Sequence, residues 1–154
     1  MSSGIIVGYD GSECAKAALQ VGLEVGKAYG ETVTIAYGFD INPLGGQVRE
    51  YRDALRELAT ERLKEAIAIA SEVGSDGIDV EAVIVEHAPA PALAELASER
   101  DARVIVVGTR GQSPMVGALL GSTAHKLLHL ADRPILVVPA SPEEPSSGPT
   151  AGAE

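Results

Sequence analysis

Apolar positions along the chain fall into two alternating rhythms. Short, β-branched runs at Ile5-Ile6-Val7-Gly8-Tyr9-Asp10 and over residues 32–39, 80–85, 104–107 and 134–139 read as buried strands. Between them lie longer segments with apolar residues at helical spacing. Residues 13–29 carry Ala15, Ala18, Leu19, Leu23 and Val25, and Gly30 supplies a stop. Residues 47–73 place Leu55, Leu58, Ala59, Leu63, Ala66, Ile67, Ala70 and Val73 on one stripe, with Arg52, Arg56, Glu57, Glu61 and Lys64 mostly off it. Pro89 suits the first turn of a third helix running through Leu93, Leu96 and Ala97 to Arg100. A fourth follows Gly121, through Ala124, Leu127, Leu128 and Ala131. The breakers at 42–46 and 74–77 read as loops.

Strands alternating with helices imply an α/β fold of parallel strands, right-handed crossovers and helices on both faces. Spacing alone does not give the strand order. The last strand is bounded by Pro134 and Pro139, and proline is tolerated at strand ends and sheet edges, so this strand is predicted at an edge. An apolar edge must be covered or paired; pairing with its own copy would form a symmetric homodimer. Residues 141–154 are rich in Pro, Ser and Gly without apolar periodicity, which predicts a disordered acidic tail behind one domain of residues 1–140.

Composition narrows the function. With 154 residues, 45% hydrophobic, no Trp and one Phe, the chain can bury one sizeable aliphatic core. The net charge is −10, and the tail's Glu143, Glu144 and Glu154 account for three of those charges, leaving the body at −7. Such acidity argues against a general nucleic-acid binder, which needs clustered Lys and Arg. Cys14 is the only cysteine, so neither an intrachain disulfide nor a cysteine metal cluster can form. No run approaches the roughly 20 apolar residues of a membrane span, and the N-terminus lacks a secretory pattern. A cytoplasmic location without membrane contact is the expectation.

The candidate chemistry gathers around the fourth strand. Val104-Ile105-Val106-Val107 stops at Gly108-Thr109-Arg110-Gly111, and Gly121-Ser122-Thr123 then opens a helix. Glycines allow positive φ and close backbone approach, so the loop from Gly108 to Gly111 can turn its N–H groups inward as an anion nest. A helix start adds free N–H donors and the positive end of the macrodipole. Two donor clusters would thus converge on one phosphate chain. A tight turn at Gly108 and Gly111, with Ser122 as a simple helix cap, accounts for the same residues. Arg110 is either the cation that attracts the anion or a solvated loop arginine.

Asp10 lies at the carboxyl end of the first strand, where open α/β sheets place ligands. It could accept from an adenine amino group or a ribose hydroxyl, and it would repel phosphate. Equally, Asp10 or Ser12 could satisfy the first N–H groups of the following helix, with Glu13 in the first turn. His87 has no cysteine or serine placed beside it to suggest a triad or metal site. His125 and His129 share a helix face at i and i+4, but no third metal ligand is evident.

Gly108-x2-Gly111-x9-Gly121-Ser122, together with Ile5-Ile6-Val7-Gly8-Tyr9-Asp10-Gly11-Ser12, Leu119-Leu120-Gly121-Ser122-Thr123-Ala124 and Pro134-Ile135-Leu136-Val137-Val138-Pro139, resembles the ATP-binding branch of the universal stress protein family over residues 4 to about 140. The resemblance implies an open, doubly wound five-stranded sheet of order 3-2-1-4-5, dimeric through the last strand. It also implies ATP or another adenine nucleotide at the carboxyl edge, with or without Mg2+. By that likeness Gly8, Asp10 and Gly38 line the adenine and ribose end; Gly108, Thr109, Arg110, Gly111, Gln112 and Ser113 wrap the phosphates; Gly121, Ser122 and Thr123 close over them. His87 departs from the family pattern, which often has glycine there, and bears on the shape of the pocket rim.

Three functions fit this reading. A nucleotide-binding stress-response module acting as a dimer is preferred; a slow ATP hydrolase and a nucleotide-free dimeric scaffold are the alternatives. Hydrolysis needs an oriented water and charge stabilisation. The P-loop pattern Gly-x4-Gly-Lys-Ser/Thr is missing, and only Arg110 and Asp10 offer catalytic roles, so turnover is expected to be slow or absent.

Overall fold

The computed structural model describes residues 4–41, 48–111 and 120–140. The predicted loop at 42–46, the phosphate-loop residues Gln112 and Ser113, and the predicted tail at 141–154 lie outside the described residues. In chain order the elements are β1 (Ile5–Gly8), α1 (Glu13–Tyr29), β2 (Val33–Gly38), α2 (Val48–Val73), β3 (Val80–Val85), α3 (Pro89–Glu99), β4 (Val104–Gly108), α4 (Ser122–Leu130) and β5 (Ile135–Val138). All five strands are parallel in one sheet of order β3-β2-β1-β4-β5, with β5 at an edge as its flanking prolines predict.

Alternation along the central strands sorts the core onto two faces. Ile5, Val7, Val33, Ile35 and Val106 pack with Leu19 and Leu23 of α1 and Leu63 and Ala66 of α2. Ile6, Ala36, Ile105 and Val107 turn the other way, onto Leu93, Leu96, Ala124 and Leu127 of α3 and α4. Each fully buried aliphatic side chain contributes about 1.5–3 kcal/mol relative to exposure, so the strand pair β1–β4, buried on both faces, anchors the fold. At the ends of α1, the Ser12 hydroxyl accepts from the Ala15 N–H, and Gly30 closes the helix in the left-handed conformation at φ 66°.

Three features depart from the sequence pattern. The apolar stripe predicted for α2 is wider than its buried face: Ala59, Leu63, Ala66 and Ala70 are buried, while Leu58, Ile67 and Val73 are 39–44% exposed. This helix covers the edge of the sheet, where β3 ends the layer and leaves its flanks open. Leu128 of α4 is likewise 57% exposed, one position off the buried Leu127. The second residue of β3 is Glu81, paired in register with buried Thr34; the Thr34 hydroxyl donates to its carboxylate at 2.8 Å, and Arg100 forms an ion pair with it.

The contrast between adjacent leucines gives a test. Leu127→Ala should destabilise the protein by about 2–5 kcal/mol, and Leu128→Ala by no more than about 0.5 kcal/mol, measured by urea unfolding. Equal losses would contradict the burial assigned to α4.

Candidate functional site

A cleft of about 700 Å³ opens at the carboxyl edge of the sheet, between the ends of β1 and β4. This is where the strand order reverses, so the loops after β1 and β4 leave toward opposite faces and part. Of the predicted site residues, Gly8, Asp10, Gly38, Gly108, Arg110, Gly111, Gly121, Ser122 and Thr123 all line this one cleft.

The phosphate-loop side is built by close approach rather than by left-handed backbone. Neither Gly108 nor Gly111 has positive φ, which corrects the conformational part of the nest expectation. A Cβ on Gly108 would stand 2.5 Å from the Cβ of Cys14, one on Gly111 2.7 Å from the Asp10 carboxylate, and one on Gly121 2.9 Å from the Thr109 carbonyl oxygen. The glycines let α1, the loop and α4 meet without side chains between them. Gly121, not Ser122, is the cap of α4; it supplies no side-chain acceptor, so among the described residues the N–H groups of the first turn have no side-chain cap, and Ser122, Thr123 and Ala124 border the cleft.

Thr109 is the one described loop residue that does not line the cleft. Its N–H donates to the Val138 carbonyl at 2.9 Å, its carbonyl accepts from the Gly121 N–H at 2.6 Å, and its hydroxyl lies 3.5 Å from the Cys14 sulfur. It braces the loop from behind.

Asp10 makes a local turn contact and also reaches the cleft wall. One carboxylate oxygen accepts the Ser12 N–H at 2.9 Å, part of the local cap, and the residue lines the cleft. Ser12 in turn caps α1 and donates from its hydroxyl to the Arg110 carbonyl at 3.5 Å, joining the β1 and β4 turns. Asp10 also presses against Gly111, so it stands where the two halves of the cleft meet. Gly8 and Gly38 make room for α3: a Cβ on Gly8 would be 2.7 Å from Leu93 Cδ1, and one on Gly38 3.0 Å from Ala92 Cβ and Pro89 Cα. His87 is exposed and off the lining, while Pro89 two residues on is part of it.

Tyr9, Tyr37, Leu93 and His125 line the cleft and were not among the predicted site residues. The tyrosines neighbour Gly8 and Gly38 at strand ends, and His125 is one turn beyond Gly121, so proximity to those glycines is the signal that could have found them. The Tyr9 hydroxyl donates to Glu65 Oε1 of α2 at 2.5 Å. Burial, then the Glu65 hydrogen bond, pushes the Tyr9 phenol well up, and burial raises Tyr37 too. Both remain neutral donors at physiological pH. The Glu65 carboxyl is held below its ordinary value, first by the Tyr9 hydrogen bond. Among the described residues, no three His, Cys, Asp or Glu side chains gather as a metal site, and no helix is long and apolar enough to cross a membrane.

The lowered Glu65 pKa fixes a sign. The unfolded chain binds a proton there more readily, so the contribution to stability is full above the ordinary glutamate value of about 4.3 and is lost as pH falls through the lower folded value. Tyr9→Phe should return the Glu65 pKa toward ordinary, read by carboxyl-carbon NMR titration; an unmoved Glu65 would show that Tyr9 does not hold it.

Comparison with known proteins adds to this geometry. The sequence model of the universal stress protein family matches residues 1–139. Universal stress protein MJ0531 of Methanocaldococcus jannaschii is 29% identical over 136 residues, 87% of this chain and 80% of that protein. A universal stress protein structure from Archaeoglobus fulgidus is 26% identical with a TM-score of 0.73, covering 90% of this chain and 99% of the other. A universal stress protein solved in complex with cAMP is 27% identical with a TM-score of 0.68, covering 90% and 98%.

Proposed function

The chain belongs to the universal stress protein family, and from that membership and the geometry of the cleft we propose that it is an adenine-nucleotide-binding module of the stress response, with ATP as the principal ligand. The carrying observation is that the free N–H groups at the start of α4 open onto the same cleft as Asp10, Tyr9 and Tyr37. A helix N-terminus suits a phosphate chain, and the carboxylate and phenols at the other end suit the amino and hydroxyl groups of a nucleoside. A relative solved with cAMP supports the adenine assignment.

The protein is acidic overall, so the phosphates enter against its mean field and binding rests on local donors: the α4 N-terminus and Arg110. Mg2+ would ride with the phosphates and offset part of the repulsion from Asp10. The role of bound nucleotide is regulatory: occupancy alters dimer or partner behaviour, with turnover slow or absent.

Gly121→Val tests the phosphate end. The Gly121 backbone, φ −63° and ψ 160°, is open to any L residue, but a Cβ there stands 2.9 Å from the Thr109 carbonyl oxygen and 3.1 Å from Arg110 Cα, so the added side chain pushes the loop after β4 and the start of α4 apart locally. Binding of ATP, followed by calorimetry, should fall at least tenfold while circular dichroism stays native; Gly121→Ala should give a smaller loss. Wild-type affinity in a folded Gly121→Val protein would overturn the assignment. Native mass spectrometry of the untreated protein should find about one adenine nucleotide per chain.

The homodimer is proposed through β5, whose Leu136 is 38% exposed at the sheet edge. Leu136→Lys should convert the dimer to monomer in light scattering; a dimer that persists would move the interface elsewhere.

A further inference from the structure

One lining side chain, His125, has no part in the reading above. It is the fourth residue of α4, after Ser122, Thr123 and Ala124. Helical side chains lean toward the helix N-terminus, so its imidazole is carried back over the turn whose free N–H groups open onto the cleft. The His125 N–H is already bonded to the Gly121 carbonyl at 2.9 Å, and what the residue offers a ligand is its ring. That ring is exposed and meets His129 edge-on, with centroids 5.3 Å apart and planes at 70°, a contact that orients it.

Among the described residues, the titratable and charged groups around it are few. Asp10, Arg110, Tyr9 and Tyr37 share the cleft, and Lys126 and His129 follow on α4. The packed elements α3 and β4 bring Pro89, Leu93, Val107 and Gly108 to the lining, none of them titratable. Asp132 and Arg133 pair with each other beyond the far end of α4.

We infer that His125 reads the length of the phosphate chain, donating from its imidazole to the outer phosphate of a nucleoside di- or triphosphate. This inference rests on the nucleotide reading of the cleft. The innermost phosphate seats on the N–H groups at Ser122 to Ala124, and the ring stands outside them at the exposed mouth, where a monophosphate such as AMP ends short of it. The imidazole N–H gives the outer phosphate a charge-assisted hydrogen bond that a monophosphate does not reach. Loss of the ring donor therefore lowers the preference for ATP over AMP.

The test is the ratio of AMP to ATP dissociation constants, measured without metal by calorimetry at one fixed pH and ionic strength. It is applied to the wild type and to His125→Leu, His125→Arg and His129→Gln. The ratio should fall about fivefold in His125→Leu, stay high in His125→Arg, and follow the wild type in His129→Gln. A folded His125→Leu protein with the wild-type ratio overturns the inference, as does a His129→Gln protein whose ratio falls as far as that of His125→Leu. Failure of the wild type to bind either nucleotide overturns the cleft reading and the inference with it.

Discussion

The peptide unit at Thr109 holds the site together. Its N–H is bound to the end of β5 and its carbonyl to the first residue of the α4 turn, so the chain leaves β4, runs through residues 112–119, and returns to within one hydrogen bond of its departure point. Closing a loop of that length by a backbone bond fixes where α4 begins, and thereby where its unpaired donors aim. The bond forms only because Gly121 brings no side chain against the Thr109 carbonyl. Cys14, against the Thr109 hydroxyl and the Gly108 backbone, adds α1 to the same junction.

Around that junction the chemistry divides by charge. The start of α4 lies on one side and the phenols of Tyr9 and Tyr37 on the other, with the Asp10 carboxylate between them against Gly111. A nucleotide has the same polarity, anionic at one end and neutral with donors at the other. Tyr9 is further tied to Glu65, so α2, otherwise on the outer edge of the fold, has one hydrogen bond into the cleft wall.

Much of the architecture was legible because the core alternates strictly: Ile5 and Val7 face one layer and Ile6 the other, and Gly30 and Pro89 mark helix ends. Strand order was not legible from spacing and came from resemblance. The α2 stripe misled because Leu58, Ile67 and Val73 obey helical periodicity while lying beyond the sheet's edge, which no local pattern encodes. At the site, the glycines singled out in the sequence do line one cleft, but not through the backbone conformation expected of them. Their role is the near contact of α1, α3 and α4 with the strand ends rather than an unusual φ. Tyr9 and Tyr37 were passed over because a tyrosine in a strand has many ordinary explanations, and His125 was weighed only as a metal ligand beside His129, which lacks a third partner.

The two rims of the sheet are unequal. At β3 the start of the strand carries Glu81, held by Thr34 and Arg100, and a neighbouring chain adding there would have to bury or displace that carboxylate. At β5 the strand is short, apolar and stopped by proline at each end. Strand-by-strand polymerisation needs two receptive rims, one to receive and one to offer. Two copies joined through β5 would present only their β3 rims, each carrying that carboxylate, so an assembly of this kind would end at two chains rather than extend.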